Sequence, residues 1–304
     1  MTQISDDELV KVGSVLQNDA NSLSERFRAL FTLMNVGSDK AVTVICNVFN
    51  DPSELLKHEL AFCLGQMQNA TAIPKLSSVL EDEQQPTIVR HEAGEALGAI
   101  GLMESLPLLN KYLDHENKVL QQTCELAVNR IKMVHSSIDF EDDSSFSSVD
   151  PAPAFNEGKT CKELSDILLD PAQPLFDRYR AMFSLRNLST PEAIDALIHG
   201  LNCNDSALFR HEIAYVLGQI ADKQAVKGLA EKLRDLSDDA MVRHECAEAL
   251  GAVDDHQCKK ILFAHLSDKD LIVKQSCEIA LDMNDHETGQ QFQYADTLQK
   301  IRNS

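Results

Sequence analysis

The sequence predicts an all-α protein, an α-solenoid of about eight helical hairpins in two pseudo-symmetric halves. Three observations carry this expectation. A residue pattern recurs after 33 residues, from His58 to His91 and again from His211 to His244. A longer repeat of 153 residues relates His58 to His211, His91 to His244 and Cys124 to Cys277. Within each repeat the apolar residues fall at helical spacing rather than in alternation. A two-helix unit of this size cannot bury its apolar face alone, so it stacks on its neighbours, which is the signature of a solenoid.

The elements follow in order. The stretch RFRALFTL (26–33) matches RYRAMFSL (178–185) at an offset of 152, so one residue is inserted before the first His-Glu pair. In TAIPKLSSVLEDEQQPTIVRHEAGEALGAIG (71–101), a first helix carries Ile73, Leu76 and Leu80, and the polar turn EDEQQP follows. Pro86 suits the first turn of the second helix. That helix carries Val89, Ala93, Ala96, Leu97 and Ile100, and Gly101 is placed to end it. Small residues in EALG and YVLGQI allow tight helix stacking. VLQQTCELA (119–127) and IVKQSCEIA (272–280) close the two halves in register. Second helices are expected near Arg26, Lys57, Arg90 and Gln121, then near Arg178, Arg210, Arg243 and Gln275. Residues 1–135 and 159–304 are thus the two repeat halves. Between them 136–158, SSIDFEDDSSFSSVDPAPAFNEG, is rich in Ser, Asp and Pro and reads as a flexible acidic linker.

Composition narrows the function. The chain has 304 residues, 43% hydrophobic and 25% charged, with no Trp and 5% aromatics. No run of 18 apolar residues is present, so no transmembrane helix and no membrane partner are expected. The start, MTQISDDELV, lacks a basic segment followed by an apolar core, so a cytoplasmic address is expected. A net charge of −20 argues against nucleic acid, which needs clustered Lys and Arg, and suits a basic partner. The eight cysteines form no CxxC pair and sit mostly in apolar helical patterns, so they read as reduced, buried hydrophobes.

Four His-Glu pairs stand out: His58-Glu59, His91-Glu92, His211-Glu212 and His244-Glu245. Only the middle two repeats of each half carry them. The outer repeats have Phe27-Arg28, Gln121-Gln122 and their counterparts, so helix packing does not require the pair. A single His at a helix start is usually a cap or a core residue, and a Glu in the first turn suits the helix dipole. Four pairs in twofold pseudo-symmetric positions point instead to metal binding. Imidazole with carboxylate is a ligand set for iron, manganese or zinc. Adjacent helical residues point about 100° apart, so one pair seldom grips one ion. Stacked helices roughly 8–10 Å apart let His58 and His91 converge on one ion and His211 and His244 on another, with a Glu reaching across from the opposite half. His115, His135, His199, His256, His265 and His286 read as surface residues. Glu95, Glu125, Glu248 and Glu278 read as helix-to-helix contacts, because two of them occur in repeats without His. Arg90, Arg210 and Arg243 are expected to pair with acidic neighbours.

The stretches KHELAFCLGQM, VRHEAGEALGAIG, FRHEIAYVLGQI and VRHECAEALGAV, in two halves of four HEAT-like repeats, resemble deoxyhypusine hydroxylase. The resemblance runs from about residue 22 to 302 and holds at all four His-Glu pairs. It implies a non-haem di-iron monooxygenase with two Fe2+ ions and dioxygen as co-substrate. The implied partner is translation factor 5A carrying deoxyhypusine, whose side chain becomes hypusine. Carried over by motif, His58, His91, His211 and His244 would ligate iron together with Glu59 and Glu212. Glu92 and Glu245 would make supporting contacts or receive the substrate's amines, and the protein is expected to be a monomer. The rival readings are a metal-free binding scaffold, a chromophore lyase of cyanobacterial type and a two-metal hydrolase.

Overall fold

The computed structural model describes residues 4–136, 146–155, 158–253, 255–287 and 294–303. The described residues are helical throughout their regular structure. In the first half the hairpins pair α1 (Asp6–Gln17) with α2 (Leu23–Val36), α3 (Asp39–Cys46) with α4 (Glu54–Gln66), α5 (Ile73–Glu81) with α6 (Thr87–Ile100), and the short α7 (Leu106–Leu109) with α8 (Lys118–Val134). In the second half α9 (Cys161–Leu169) pairs with α10 (Leu175–Leu188), α11 (Pro191–Gly200) with α12 (Ala207–Ile220), α13 (Val226–Arg234) with α14 (Ala240–Ala252), and α15 (His256–Ala264) with α16 (Leu271–Glu287). A last helix, α17 (Thr297–Asn303), packs on α1 and α2.

The even-numbered helices of each half stack in sequence and line the interior. Their starts are fixed locally. Ser22, Ser53, Asn117, Ser206 and Asp239 accept backbone amides as N-caps. Pro86 occupies the cap itself, one residue before the helix, rather than the first turn. Gly101 ends α6 at φ 78°, a left-handed backbone that favours glycine. Between α14 and α16 the approach is close enough that a Cβ on Gly251 would lie 2.6 Å from the Ala280 Cβ.

An arginine near each helix start ties the hairpin together. Arg26, Arg90, Arg178 and Arg243 each donate Nε to the carbonyl ten residues earlier, at Leu16, Leu80, Leu168 and Leu233, over 2.8–3.0 Å. Those carbonyls belong to the last turn of the preceding helix, which has no intrahelical donor for them. The same guanidinium groups reach Asp51, Asp205 and Asp268 of the next turn. Arg210 pairs with Asp238 as expected, whereas Arg90 meets the Tyr112 hydroxyl at 3.5 Å rather than an acid.

The two halves close on each other along two seams related by the 153-residue offset. The Ser206 hydroxyl donates to Gln122 at 2.7 Å, and the Ser53 hydroxyl donates to Gln275 at 3.0 Å. The seam between the chain ends adds a two-pronged Arg28–Asp282 pair at 2.9 Å and Arg302 on Glu8 at 2.7 Å.

The other seam is filled by the connecting segment, which differs from the expected free spacer. Residues 137–145 and 156–157 of that segment lie outside the described residues. Residues 146–155 are docked. Asp150 is buried against Arg186, with oxygens 2.6 and 2.8 Å from the guanidinium, and its carbonyl accepts from Arg130. Phe155 N–H donates to Ser184, and Arg180 lies over the Phe155 ring. Low aliphatic content made this segment look unanchored; buried ion pairs and ring contacts anchor it instead.

Candidate metal centre

The interior is where α4, α6, α12 and α14 meet. Each puts His at its fifth residue and Glu at its sixth, so the four helices bring eight ligand-type side chains into the same interior. All eight are buried. Five of the six imidazole pairs among His58, His91, His211 and His244, all but His91 with His244, have centroids 5.3–5.9 Å apart, both within a half and across the halves. The imidazoles thus lie as close across the halves as within them, so the spacing does not single out the expected half-by-half pairs, His58 with His91 and His211 with His244.

The histidines differ in what their ring nitrogens face. His91 Nδ1 faces the Thr123 hydroxyl at 3.5 Å, and His244 Nδ1 faces the Ser276 hydroxyl at 3.4 Å, again 153 residues apart. Their Nε2 atoms, and both nitrogens of His58 and His211, are buried without a hydrogen bond among the described residues. His58 Nε2 does approach Glu92 Oε2 to 3.1 Å, and His211 Nε2 approaches Glu245 Oε2 to 3.3 Å, outside hydrogen-bond alignment. Orphaned buried nitrogens are costly unless a ligand takes their lone pairs.

The carboxylates crowd one another, with more acids than imidazoles facing the same space. A cavity of about 90 Å³ is walled by His58, His211, Phe62, Tyr215 and six glutamates: 59, 92, 95, 212, 245 and 248. Burial, then the charge of Glu248, pushes the Glu59 carboxyl up to about 8, and burial with Glu248 does the same at Glu245. Burial raises Glu95 and Glu212 well above the usual carboxylate range. At His58 burial opposes the charge, but Glu92 and Glu59 prevail and raise it to about 9. Burial and the neighbouring imidazoles drive His91 down, and His211 falls to about 4 by burial and His58. Burial lowers His244 as well, so three of the four imidazoles favour the neutral form that binds metal, and beside so many carboxylates they fit bound cations of the hard-to-borderline kind.

Three groups have ligand atoms within 4.8 Å of one another: His58 with His211 and His244; His58 with His91 and Glu92; and His244 with Glu245 and Glu248. Glu59 and Glu212 line the cavity but belong to none of these groups.

Two residues were misread from sequence. Glu95 and Glu248, expected to be packing contacts, wall the cavity, and Glu248 takes a hydrogen bond from Ser276 at 2.8 Å. Glu125 and Glu278 are unrelated to them: Glu125 accepts from Gln121, and Glu278 pairs with Lys274. The starts of α6 and α8, Thr87 and Lys118, are 31 residues apart, so the residue matching His91 is Gln122, not Gln121. The matching sixth residues are Thr123 and Ser276, whose hydroxyls orient His91 and His244. Of the other histidines, His135, His199 and His256 are exposed, His115 and His265 are half-buried, and the His286 side chain lies outside the described residues. All eight cysteines are free thiols.

Comparison with known proteins places relatives along nearly the whole chain. The HEAT repeats family matches residues 42–129 and 194–282, and the PBS lyase HEAT-like repeat matches 177–203. Deoxyhypusine hydroxylase of Danio rerio is 50% identical over 304 residues, covering 99% of each chain. The Homo sapiens protein of that name is 48% identical, covering 98% of each chain. The solved structure of human deoxyhypusine hydroxylase in complex with glycerol is similar at a TM-score of 0.89 and 48% identity, over 92% of this chain and 96% of that one.

Proposed function

Because the chain belongs to the deoxyhypusine hydroxylase family, we propose that it is a non-haem di-iron monooxygenase that hydroxylates deoxyhypusine on translation factor 5A. The observation that carries this reading is the set of buried imidazole nitrogens without a hydrogen bond beside six cavity-lining carboxylates, four of them buried and Glu95 and Glu248 half-buried. A metal-free scaffold leaves those groups without a purpose. A lyase reading has one matching repeat behind it, against full-length identity with hydroxylases.

His58, His91, His211 and His244 would hold two Fe2+ ions, with Glu59 and Glu212 from the family resemblance. Glu92 and Glu245, expected to make supporting contacts or to receive the substrate's amines, join the ligand candidates because their carboxylates lie beside His58 and His211. The iron pair would supply activation of dioxygen, one atom of which enters a C–H bond of the substrate. The chain's own residues do the rest. Thr123 and Ser276 fix two of the rings so that Nε2 faces inward. Glu95 and Glu248 extend the acidic wall beyond the imidazoles, where ammonium groups of the substrate side chain meet opposite charge. Closure of the halves keeps bulk water from the reacting centre, which strengthens each of these contacts.

Each half, 1–135 and 159–304, brings two histidines, so neither half holds a whole site. The chain acts as a monomer in the cytoplasm; among the described residues no helix is long and apolar enough to cross a membrane. Metal analysis on wild type beside His58→Ala and His211→Ala, with hydroxylation of deoxyhypusine-bearing 5A, tests the reading. About two irons per chain and turnover in the wild type alone are expected. Full activity in a metal-free preparation would defeat the assignment.

A further inference from the structure

Resting on the deoxyhypusine reading, we propose that Phe62 and Tyr215 are specificity-determining residues that form the passage for the aliphatic part of the substrate side chain. They set which spacer length is accepted. Among the cavity walls these two rings are the hydrocarbon surface; the others are imidazoles and carboxylates. The substrate is a linear chain of ammonium groups separated by methylenes. Carboxylates answer the ammonium groups, but a wall of charge gives methylenes nothing to replace their water. The rings supply that surface where the two halves face each other.

Their geometry is built rather than incidental. Phe62 stands four residues after His58 on α4, and Tyr215 four residues after His211 on α12. The rings meet edge to face, with centroids 6.0 Å apart and planes at 68°. One helical turn further, Gln66 and Gln219 grip the docked connecting segment. Val149 N–H donates to Gln66 at 2.8 Å and its carbonyl accepts from Gln66 at 3.3 Å. Gln219 donates to Ser148 at 2.9 Å and to the Tyr215 hydroxyl at 3.1 Å. The facing helices thus present three levels: imidazoles, then rings, then amides clamped on one strap. The strap holds the two rings against each other, so the methylenes run along the joined ring surface rather than between the rings, and the fixed place of that surface sets the register of the chain against the imidazole level.

A fixed hydrocarbon wall separates substrates differing by one methylene by roughly 10- to 200-fold. The test uses the iron-loaded enzyme and two forms of 5A, one with the natural aminobutyl spacer and one with aminopentyl. In Phe62→Ala the KM for the natural substrate should rise on the order of tenfold or more. Its kcat should hold within about twofold, its iron content should stay at the wild-type level, and its preference between spacers should shrink. Phe62→Leu, which keeps a hydrocarbon wall, should retain most of the affinity, and Tyr215→Phe most of the preference. An unchanged KM or an unchanged preference in Phe62→Ala overturns the proposal. So does a loss of iron in parallel with activity, which would make the rings a support for the metal. If the wild type hydroxylates neither form, the reaction reading fails separately. Calorimetric binding of a deoxyhypusine peptide then decides the passage: weaker binding to Phe62→Ala supports it, equal binding sinks it.

Discussion

Replacing Asp150 by Ala tests the docking of the connecting segment. The Asp150 carboxylate and the Arg186 guanidinium are 5% and 0% exposed, and two contacts of 2.6 and 2.8 Å join them. Removing one partner of a buried pair leaves the other charge uncompensated and costs about 3–5 kcal/mol. Arg186 would keep Gln219 at 2.8 Å, Ser148 at 3.2 Å and Asn187 at 3.1 Å. The lower end, about 3 kcal/mol, is therefore expected. An unfolding entropy near 2.1 cal/mol/K per residue gives about 0.6 kcal/mol/K for a chain of 304 residues, so Tm should fall by about 5 °C. Differential scanning calorimetry reads this directly. The exposed Lys162–Asp166 pair, 83% and 66% exposed, is the control: Asp166→Ala should move Tm by less than about 1 °C. In a double-mutant cycle, Asp150→Ala with Arg186→Met should cost less than the sum of the single changes. A shift in Asp150→Ala no larger than the control would refute the docked strap and restore the free spacer.

Other outcomes follow from the same structure. His91→Ala should lower iron from about two to about one per chain while the helical circular dichroism persists, read by elemental analysis beside the spectrum. Gly251→Ala puts a methyl 2.6 Å from the Ala280 Cβ and should cost about 1–2 kcal/mol after the helix-propensity gain, whereas Gly158→Ala, with nothing within 4 Å, should be neutral in the same denaturant titration. Asp205, Asp238 and Asp268 resist burial's upward push, and their Arg178, Arg210 and Arg243 partners hold them below the usual carboxylate range. Their folded values are depressed, so the stability they add is present above about pH 4 and is lost as pH falls through the folded values; Tm against pH should drop on that acid side, less steeply in Asp268→Asn.

Much of this was legible in the chain because repetition separates function from packing. His91 and His244 stood out since sibling helices stack without them. The same logic failed for Glu95 and Glu248. Their grouping with Glu125 and Glu278 rests on a register one residue off in α8, where the preceding helix is broken into short turns around Leu106–Leu109, and the 153-residue repeat carries that register into α16 although α15 before it is regular. Without a regular first helix the spacing could not be fixed. The hydroxyls of Thr123 and Ser276 were hidden by the same slip. The strap was hidden for a different reason, since sequence periodicity reports helices and is silent on an irregular segment held by Asp150, Gln66 and Gln219. Phe62 and Tyr215 carry no mark in the sequence, and only closure of the halves shows that they face a cavity.

The paired seam bonds, Ser206 on Gln122 and Ser53 on Gln275, carry a consequence for ancestry and engineering. Both joints use the same residue types with donor and acceptor traded between halves, which is the isologous rule of a twofold dimer. A single ancestral half, self-associating, could have made the complete enclosure before duplication fused two copies. The present protein should accordingly tolerate severance: 1–136 and 146–304, produced as separate polypeptides, are expected to reassemble, and catalysis should reappear only on mixing.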